Sequence, residues 1–259
     1  MIKQYNYDKF AKYYDILELG ESNNYEDINH FLDLIFKQHK VKTILDMTCG
    51  TGAQAIGLTK RGYTVTASDL SQSMLQIAKE KAKGLNINFV KGDIRSSKFG
   101  KFDAVISIFN AIGHLSKPDF IKALRNIQNN LNKNGLYIFD IFNLDFMKSG
   151  GFINYEFLDK SITYNGTKFV RFNKNNINYK TGVISIKQKT YIQEELKQSS
   201  ILNENWEMQI YSLAELKQIL KKNGFKIMDV SEGPKTKFMH QKSLSVYLIT
   251  QKAISTQNP

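Results

Sequence analysis

The stretch from Thr43 to Ile56, Thr-Ile-Leu-Asp-Met-Thr-Cys-Gly-Thr-Gly-Ala-Gln-Ala-Ile, constrains the fold more than any other. An apolar pair, Ile44 and Leu45, ends on Asp46. A turn follows, Thr48-Cys49-Gly50-Thr51-Gly52, and a helix begins near Ala53. Glycines at such a turn accept positive φ and let a ligand lie against the main chain. A buried strand that feeds a helix through a glycine turn is the unit of parallel α/β sheets, which bind ligands at that turn.

The unit repeats. A second strand, Tyr63-Thr-Val-Thr-Ala-Ser, ends on Asp69, and Ser71 caps a helix over 72–83. Asn86–Val90 reads as a third strand, followed by Gly92 and Asp93. Phe102–Phe109 reads as a fourth, running into Asn110-Ala-Ile-Gly-His-Leu. A helix is expected from Asp119 to about Leu131, and Asn134-Gly135 leads into a fifth strand, 136–143. Strands separated by helical patterns predict an α/β fold: a Rossmann-like, mostly parallel sheet with helices on both faces.

After Gly150-Gly151 the pattern changes to alternation rich in Ile, Tyr, Thr and Phe, with turn signals at Asn165-Gly166 and Lys180-Thr-Gly. This predicts an inserted antiparallel β subdomain over 151–210. Helical spacing returns at Ser212, whose partner Glu215 completes a capping-box pattern. Two strands, about 225–230 and 243–250, close the chain, and the tail after Ala253 is expected to fray. Residues 1–40 read as a helical cap. Ile28, Phe31, Leu32, Leu34, Ile35 and Phe36 repeat at helical spacing behind a cap at Asn24 or Ser22, and the aromatic run Tyr5, Tyr7, Phe10, Tyr13 and Tyr14 ahead of them reads either as packing or as a flap over a ligand. The expected organisation is one domain, 1–259: cap 1–40, cofactor-binding core 41–150, β lid 151–210 and core completion 211–259.

The chemistry sits at the strand ends. Gly50-Thr-Gly52-Ala-Gln-Ala55 formally fits a dinucleotide pattern, with Asp69 about 17 residues on. Asp46 argues otherwise, because a carboxylate before the turn opposes a pyrophosphate and suits a cation. Asp69 can accept from two ribose hydroxyls, and Asp93 from an exocyclic amine. A cationic nucleoside without phosphate meets all three demands, and S-adenosylmethionine is such a molecule.

Ile44–Gly52, Val65–Leu75, Gly92-Asp-Ile and Phe102–Ser107 together resemble the class I S-adenosylmethionine-dependent methyltransferases, in order and in spacing. The resemblance implies a seven-stranded sheet with its last strand antiparallel. It implies that Thr48, Cys49, Gly50 and Gly52 lie beside the methionine part of the cofactor. Asp69 would hold the ribose, Asp93 would sit by the adenine amine, and Leu70 and Ile94 would cover the ring faces. Asp46, Met74, Gly92 and Asn110 complete the implied cofactor set. Ala11–Leu17, Asn110–Leu115 and the β insert are similar to small-molecule N-methyltransferases that act on amino sugars or glycine. That similarity implies that Tyr14 contacts the cofactor carboxylate, that His114 faces the acceptor, and that the insert lids the pocket or builds a homodimer.

The expected reaction is methyl transfer to a small-molecule acceptor, at an amine nitrogen, with His114 near its ordinary pKa taking the acceptor's proton or orienting the acceptor, against the reading that it only binds cofactor or caps a turn. The alternatives are methylation of tRNA or rRNA, for which the net charge of +12 argues, and a non-catalytic cofactor-binding protein. The lysines are scattered and form no basic block, which suits a solvated surface. A nicotinamide oxidoreductase is the residual reading. Cys49 is the single cysteine and has no neighbouring base, so neither a disulfide nor a nucleophile is expected. His30, His39 and His240 have no metal-ligand spacing. No run of ~18 apolar residues predicts a membrane span. The N-terminus has no apolar signal core, so a cytoplasmic location is expected. Tyr155, Tyr164, Arg171, Tyr191 and Trp206 of the insert are candidate pocket residues.

Overall fold

A computed structural model describes residues 2–19, 24–150, 152, 154–234 and 236–253. The expected cap at Ser22, the second glycine at 151 and the tail after Ala253 lie outside them.

The chain opens with α1 (Tyr7–Tyr14), a π-helical turn (Asp15–Leu19) and α2 (Asn24–Gln38). The α/β units follow as β1 (Thr43–Asp46), α3 (Ala53–Lys60), β2 (Thr64–Asp69), α4 (Gln72–Lys81), β3 (Ile87–Lys91) and β4 (Phe102–Ser107). A 3₁₀ turn (Ala111–His114), α5 (Lys117–Asn130), β5 (Leu131–Phe142) and α6 (Leu144–Lys148) lead to the insert. Its strands are β6 (Glu156–Tyr164), β7 (Thr167–Asn178), β8 (Val183–Glu194) and β9 (Ser200–Gln209). The chain ends with α7 (Leu213–Lys222), β10 (Phe225–Gly233), β11 (Thr236–Lys237) and β12 (Ser245–Lys252).

The main sheet has eight strands in the order β11-β10-β12-β5-β4-β1-β2-β3. Strands β1 to β5 form its parallel part, β5-β4-β1-β2-β3, and β12 runs antiparallel to both β5 and β10. The eighth strand, β11, is a two-residue addition beyond the expected seven. Alternation sends Leu45, Val105, Tyr137, Phe139 and Leu248 to one face, against α5 and α7. It sends Ile44, Ile106, Ile138 and Ile249 to the other, against α2, α3 and α4. The helix expected at Asp119 starts earlier, at Lys117. Ser116 caps it by accepting from the Asp119 amide, and Pro118 fits the first turn.

One contact under this sheet is tight. A Cβ at Gly57 of α3 would lie 2.1 Å from Asn29 Nδ2. Asn29 is fully buried on α2 and donates to the Ala53 carbonyl at 3.2 Å, so it has no solvent to swing into. Alanine would improve helix propensity by ~1 kcal/mol, yet overpacking costs about 1–3 kcal/mol. Gly57→Ala is therefore expected to lower the unfolding midpoint; a midpoint equal to or above wild type would show that the helices slide apart freely.

The insert forms a separate four-stranded antiparallel sheet, β6-β7-β8-β9. Its inner face packs on α6 through Ile177, Ile184, Ile186 and Met208. At its other end, Phe169 and Ile192 pack on Phe10 and Leu17 of the N-terminal segment. The chain leaves and re-enters the core at one bridge, Asn143 to Tyr211.

Candidate functional site

β1 lies between β2 and β4, so the loops after β1 and β4 diverge and leave a crevice at the strand ends. A cavity of about 280 Å³ occupies it.

The turn after β1 forms one wall. Gly50 (φ +52°) donates its amide to Asp69 Oδ2 at 2.8 Å, and the Cys49 amide donates to the Ser68 carbonyl at 2.9 Å. Gly52 (φ +86°) is the N-cap of α3, and a Cβ there would stand 3.1 Å from Ala78 Cβ. That closeness keeps Gly52 behind the wall, not on it. Asp46 is also off the wall. It is 2% exposed, and its Oδ1 accepts from the Thr48 amide at 3.2 Å. Burial, with Asp69 nearby, raises its pKa to about 7. Its role is to pin the turn from below, while Oδ2 is buried without a partner. Burial also pushes the Cys49 thiol well above its ordinary range, so it stays protonated.

Asp69 and Asp93 do reach the cavity. Asp69 accepts on Oδ2 from Gly50 and on Oδ1, at 2.9 Å, from the Ser71 amide, with the Leu70 amide also turned toward it, and the carboxylate keeps acceptor capacity toward the cavity. Asp93 is gripped by Arg95: Nη2 lies 2.6 Å from Oδ2, and Nε lies 2.9 and 3.0 Å from the two oxygens. This pairing holds Asp93 below the usual carboxylate range. Arg95 also stands 3.8 Å from Asp119. The arginine on the wall is thus already neutralised by two carboxylates.

The loop after β4 forms the opposite wall under strain. Phe109 and Asn110 both have positive φ, +66° and +56°, which non-glycine residues rarely adopt. The buried Asp140 of β5 accepts the Asn110 amide at 3.1 Å and holds that backbone in place. Burial lifts Asp140 to about 7. Asn110 itself faces away from the cavity, with Oδ1 buried and unpartnered, while its neighbours Phe109 and Ala111 line it.

The N-terminal segment roofs the cavity. Asp8 of α1 accepts from Ser71 Oγ at 2.6 Å and from the Ser73 amide at 3.2 Å. These bonds set Tyr7 and Tyr14 into the cavity wall. Gln4 Nε2 donates to the His114 carbonyl at 2.8 Å. The His114 ring is hydrogen-bonded through Nε2 to Tyr7 Oη at 2.7 Å and stacks on Trp206 with centroids 5.4 Å apart. Burial lowers its pKa to about 4. The expectation of a histidine near its ordinary pKa is therefore corrected: at pH 7 the ring is neutral and a weak base.

Thr48, Cys49, Gly50, Leu70, Met74, Gly92, Ile94, Tyr14 and His114 all border the cavity with Asp69 and Asp93. Asp46, Gly52 and Asn110 stand behind it. Sequence reasoning missed Gln4, Gln54, Arg95 and Phe109 as wall residues. Tyr7 belongs to the aromatic run read as packing or as a flap, and Arg95 lies two residues past Asp93. Nothing in the sequence marks the positive φ of Phe109. Of the insert candidates, Trp206 reaches His114. Tyr155 and Tyr164 are exposed, Tyr191 packs outward against Phe172, and Arg171 turns to the N-terminal segment. Among the described residues no group of three or more His, Cys, Asp or Glu could hold a metal, and no helix is long and apolar enough to cross a membrane.

Residues 44–135 match the family model described as a methyltransferase domain. Human glycine N-methyltransferase is 32% identical over 136 residues, covering 45% of this chain and 46% of the relative. An amino-sugar enzyme of Streptomyces venezuelae, dTDP-3-amino-3,4,6-trideoxy-alpha-D-glucopyranose N,N-dimethyltransferase, is 29% identical over 116 residues, covering 44% and 48%. The chain spans about half the length of the curated relatives it matches. A crystal structure of an S-adenosylmethionine-dependent methyltransferase from Clostridium acetobutylicum shares the fold, with a TM-score of 0.81 at 21% identity, over 96% of this chain and 99% of that one.

Proposed function

From a chain whose residues 44–135 carry a methyltransferase domain, we propose an enzyme that transfers methyl from S-adenosylmethionine to a small-molecule amine. The observation that carries this reading is the sign of the cavity: Asp69, Asp93 and Asp119 line it, and its arginine is tied to two of them. Such a wall favours a cation over a phosphate. The donor set fits the cofactor. Asp69 keeps acceptor capacity for a vicinal diol, and Leu70 and Ile94 offer apolar surface for a base. Thr48 Oγ1 is a buried hydroxyl still without a partner.

S-adenosylmethionine supplies an activated methyl on a sulfonium, so the protein's work is alignment for in-line displacement. Tyr7, Tyr14 and the glycine turn exclude water and fix the donor end. The acceptor is assigned to the end of the same cavity beside His114, Leu115 and Ser116, where a second hollow of about 360 Å³ adjoins it through Ile2 and Ser116. Asn178, Thr181, Ser185 and Glu207 place polar side chains around that hollow. His114, neutral at pH 7, orients the acceptor by hydrogen bonding and does not take its proton, so the amine must arrive uncharged.

Titration calorimetry with S-adenosylmethionine and its demethylated product, then a labelled-methyl screen over amines, tests the proposal. Binding of neither by folded protein, or preferential binding of NAD, would sink it. With an amine acceptor, turnover is expected to rise with pH as the acceptor deprotonates. His114→Gln should lower turnover by about 10–100-fold while leaving the shape of that profile unchanged. A histidine-like inflection near pH 6.5 that vanishes in His114→Gln would instead make His114 the base.

A further inference from the structure

The π-helical turn Asp15–Leu19 touches both parts of the molecule. On one side, Asp15 accepts from Thr51 Oγ1 of the glycine turn and pairs with Lys81 of α4. On the other, Glu18 pairs with Arg171 of β7, and the Leu17 carbonyl accepts from Lys160 of β6. Arg171 is 4% exposed and divides its guanidinium between Glu18 and Asp159. Leu17, fully buried, packs with Phe10, Phe169 and Ile192. Tyr14, the wall residue that ends α1, immediately precedes the turn. π turns are uncommon and recur at functional sites. A buried arginine persists only where its partners offset its desolvation.

None of the residues described as lining the cofactor cavity comes from the four-stranded sheet. The sheet nevertheless grips the π turn that follows Tyr14, a residue of the cavity wall. We propose that the Glu18–Arg171 pair is a positioning device for the cofactor: through the π turn it holds Asp15 on the glycine turn and Tyr14 in the cavity wall. The insert thereby sets the affinity of a site it does not line. The inference rests on the cofactor reading above.

Arg171→Met would strand two carboxylates and risks unfolding. The test therefore uses Glu18→Gln, an isosteric change at a side chain 34% exposed, against Asp159→Asn, which touches the same arginine but not the turn. S-adenosylmethionine is titrated calorimetrically, with Tm measured alongside. Glu18→Gln is expected to raise Kd about ten-fold, the loss of a charge-assisted bond. Asp159→Asn is expected to lower Tm while leaving Kd within about two-fold. Arg171→Lys, which keeps the charge but loses the fork, should fall between wild type and Glu18→Gln in affinity. An unchanged Kd in Glu18→Gln, or equal changes in both amide variants, would overturn the positioning role alone. No binding by wild type would overturn the cofactor reading and this role together.

Discussion

Asp69→Ala is expected to weaken S-adenosylmethionine binding by at least about 100-fold, the sum of two charge-assisted hydrogen bonds of ~1.5–3 kcal/mol each. The carboxylate organises the site from both sides. It receives the Gly50 and Ser71 amides, so its loss frees the glycine turn and the start of α4 together. It also presents the acceptor capacity assigned to the ribose. Asp69→Asn is a sharper probe than it looks. The backbone groups facing Asp69 are all donors, so one amide nitrogen must meet an N–H head on. It should therefore lose affinity nearly as far as alanine. Calorimetry on folded protein, well below each variant's Tm, checks this. Affinity within about three-fold of wild type would mean that Asp69 holds only the loop and that the cofactor sits elsewhere.

Stability should fall as pH rises from about 4 to about 7, the reverse of ordinary acid denaturation. Asp46 and Asp140 are fully buried and titrate near 7, each with one oxygen lacking a partner. In that window the folded state holds protons on both aspartates that the unfolded chain has released, which favours unfolding as pH rises; His114, lowered to about 4, acts the opposite way up to its ordinary pKa and offsets only one of the two. Burial raises Asp69 as well, with the same sign. Carboxylates of the opposite kind, such as Asp93 under Arg95, are depressed and lose their contribution only below the ordinary carboxylate range. A shift of ~3 units corresponds to about 4 kcal/mol at most for each buried aspartate. Urea unfolding at pH 5.5 and 8.0 measures the difference. Asp140→Asn keeps an acceptor for the Asn110 amide without the buried charge. It should be more stable than wild type at pH 8.0 by about 2 kcal/mol and show a smaller pH dependence. Equal pH dependence in the variant would place the titrating groups elsewhere.

These two buried carboxylates show where sequence reading stops. Asp46 was legible as an acid before a glycine turn, and a cation-facing role follows naturally from that position. The structure puts its side chain under the turn, because Thr48 curls back over it. Asp140 carries no comparable signal within β5, yet it holds the strained Phe109–Asn110 backbone that shapes the opposite wall. His114 was legible as a site residue. Its depressed pKa was not, because it comes from burial, and the rings beside it, Tyr7 and Trp206, come from the N-terminal segment and the insert.

By itself, the sequence determined the strand-turn-helix units, the sheet they build, the glycine turn, and the acids Asp69 and Asp93 at successive strand ends. Each rests on local rules, namely alternation, helical spacing and glycine conformation, that act over a few residues. Only the tertiary structure decided which side chains face the cavity, that Arg95 neutralises Asp93, and that Arg171 of the insert reaches Glu18. Those facts arise from packing between segments far apart in the chain, where burial and the neighbouring charges set both geometry and protonation.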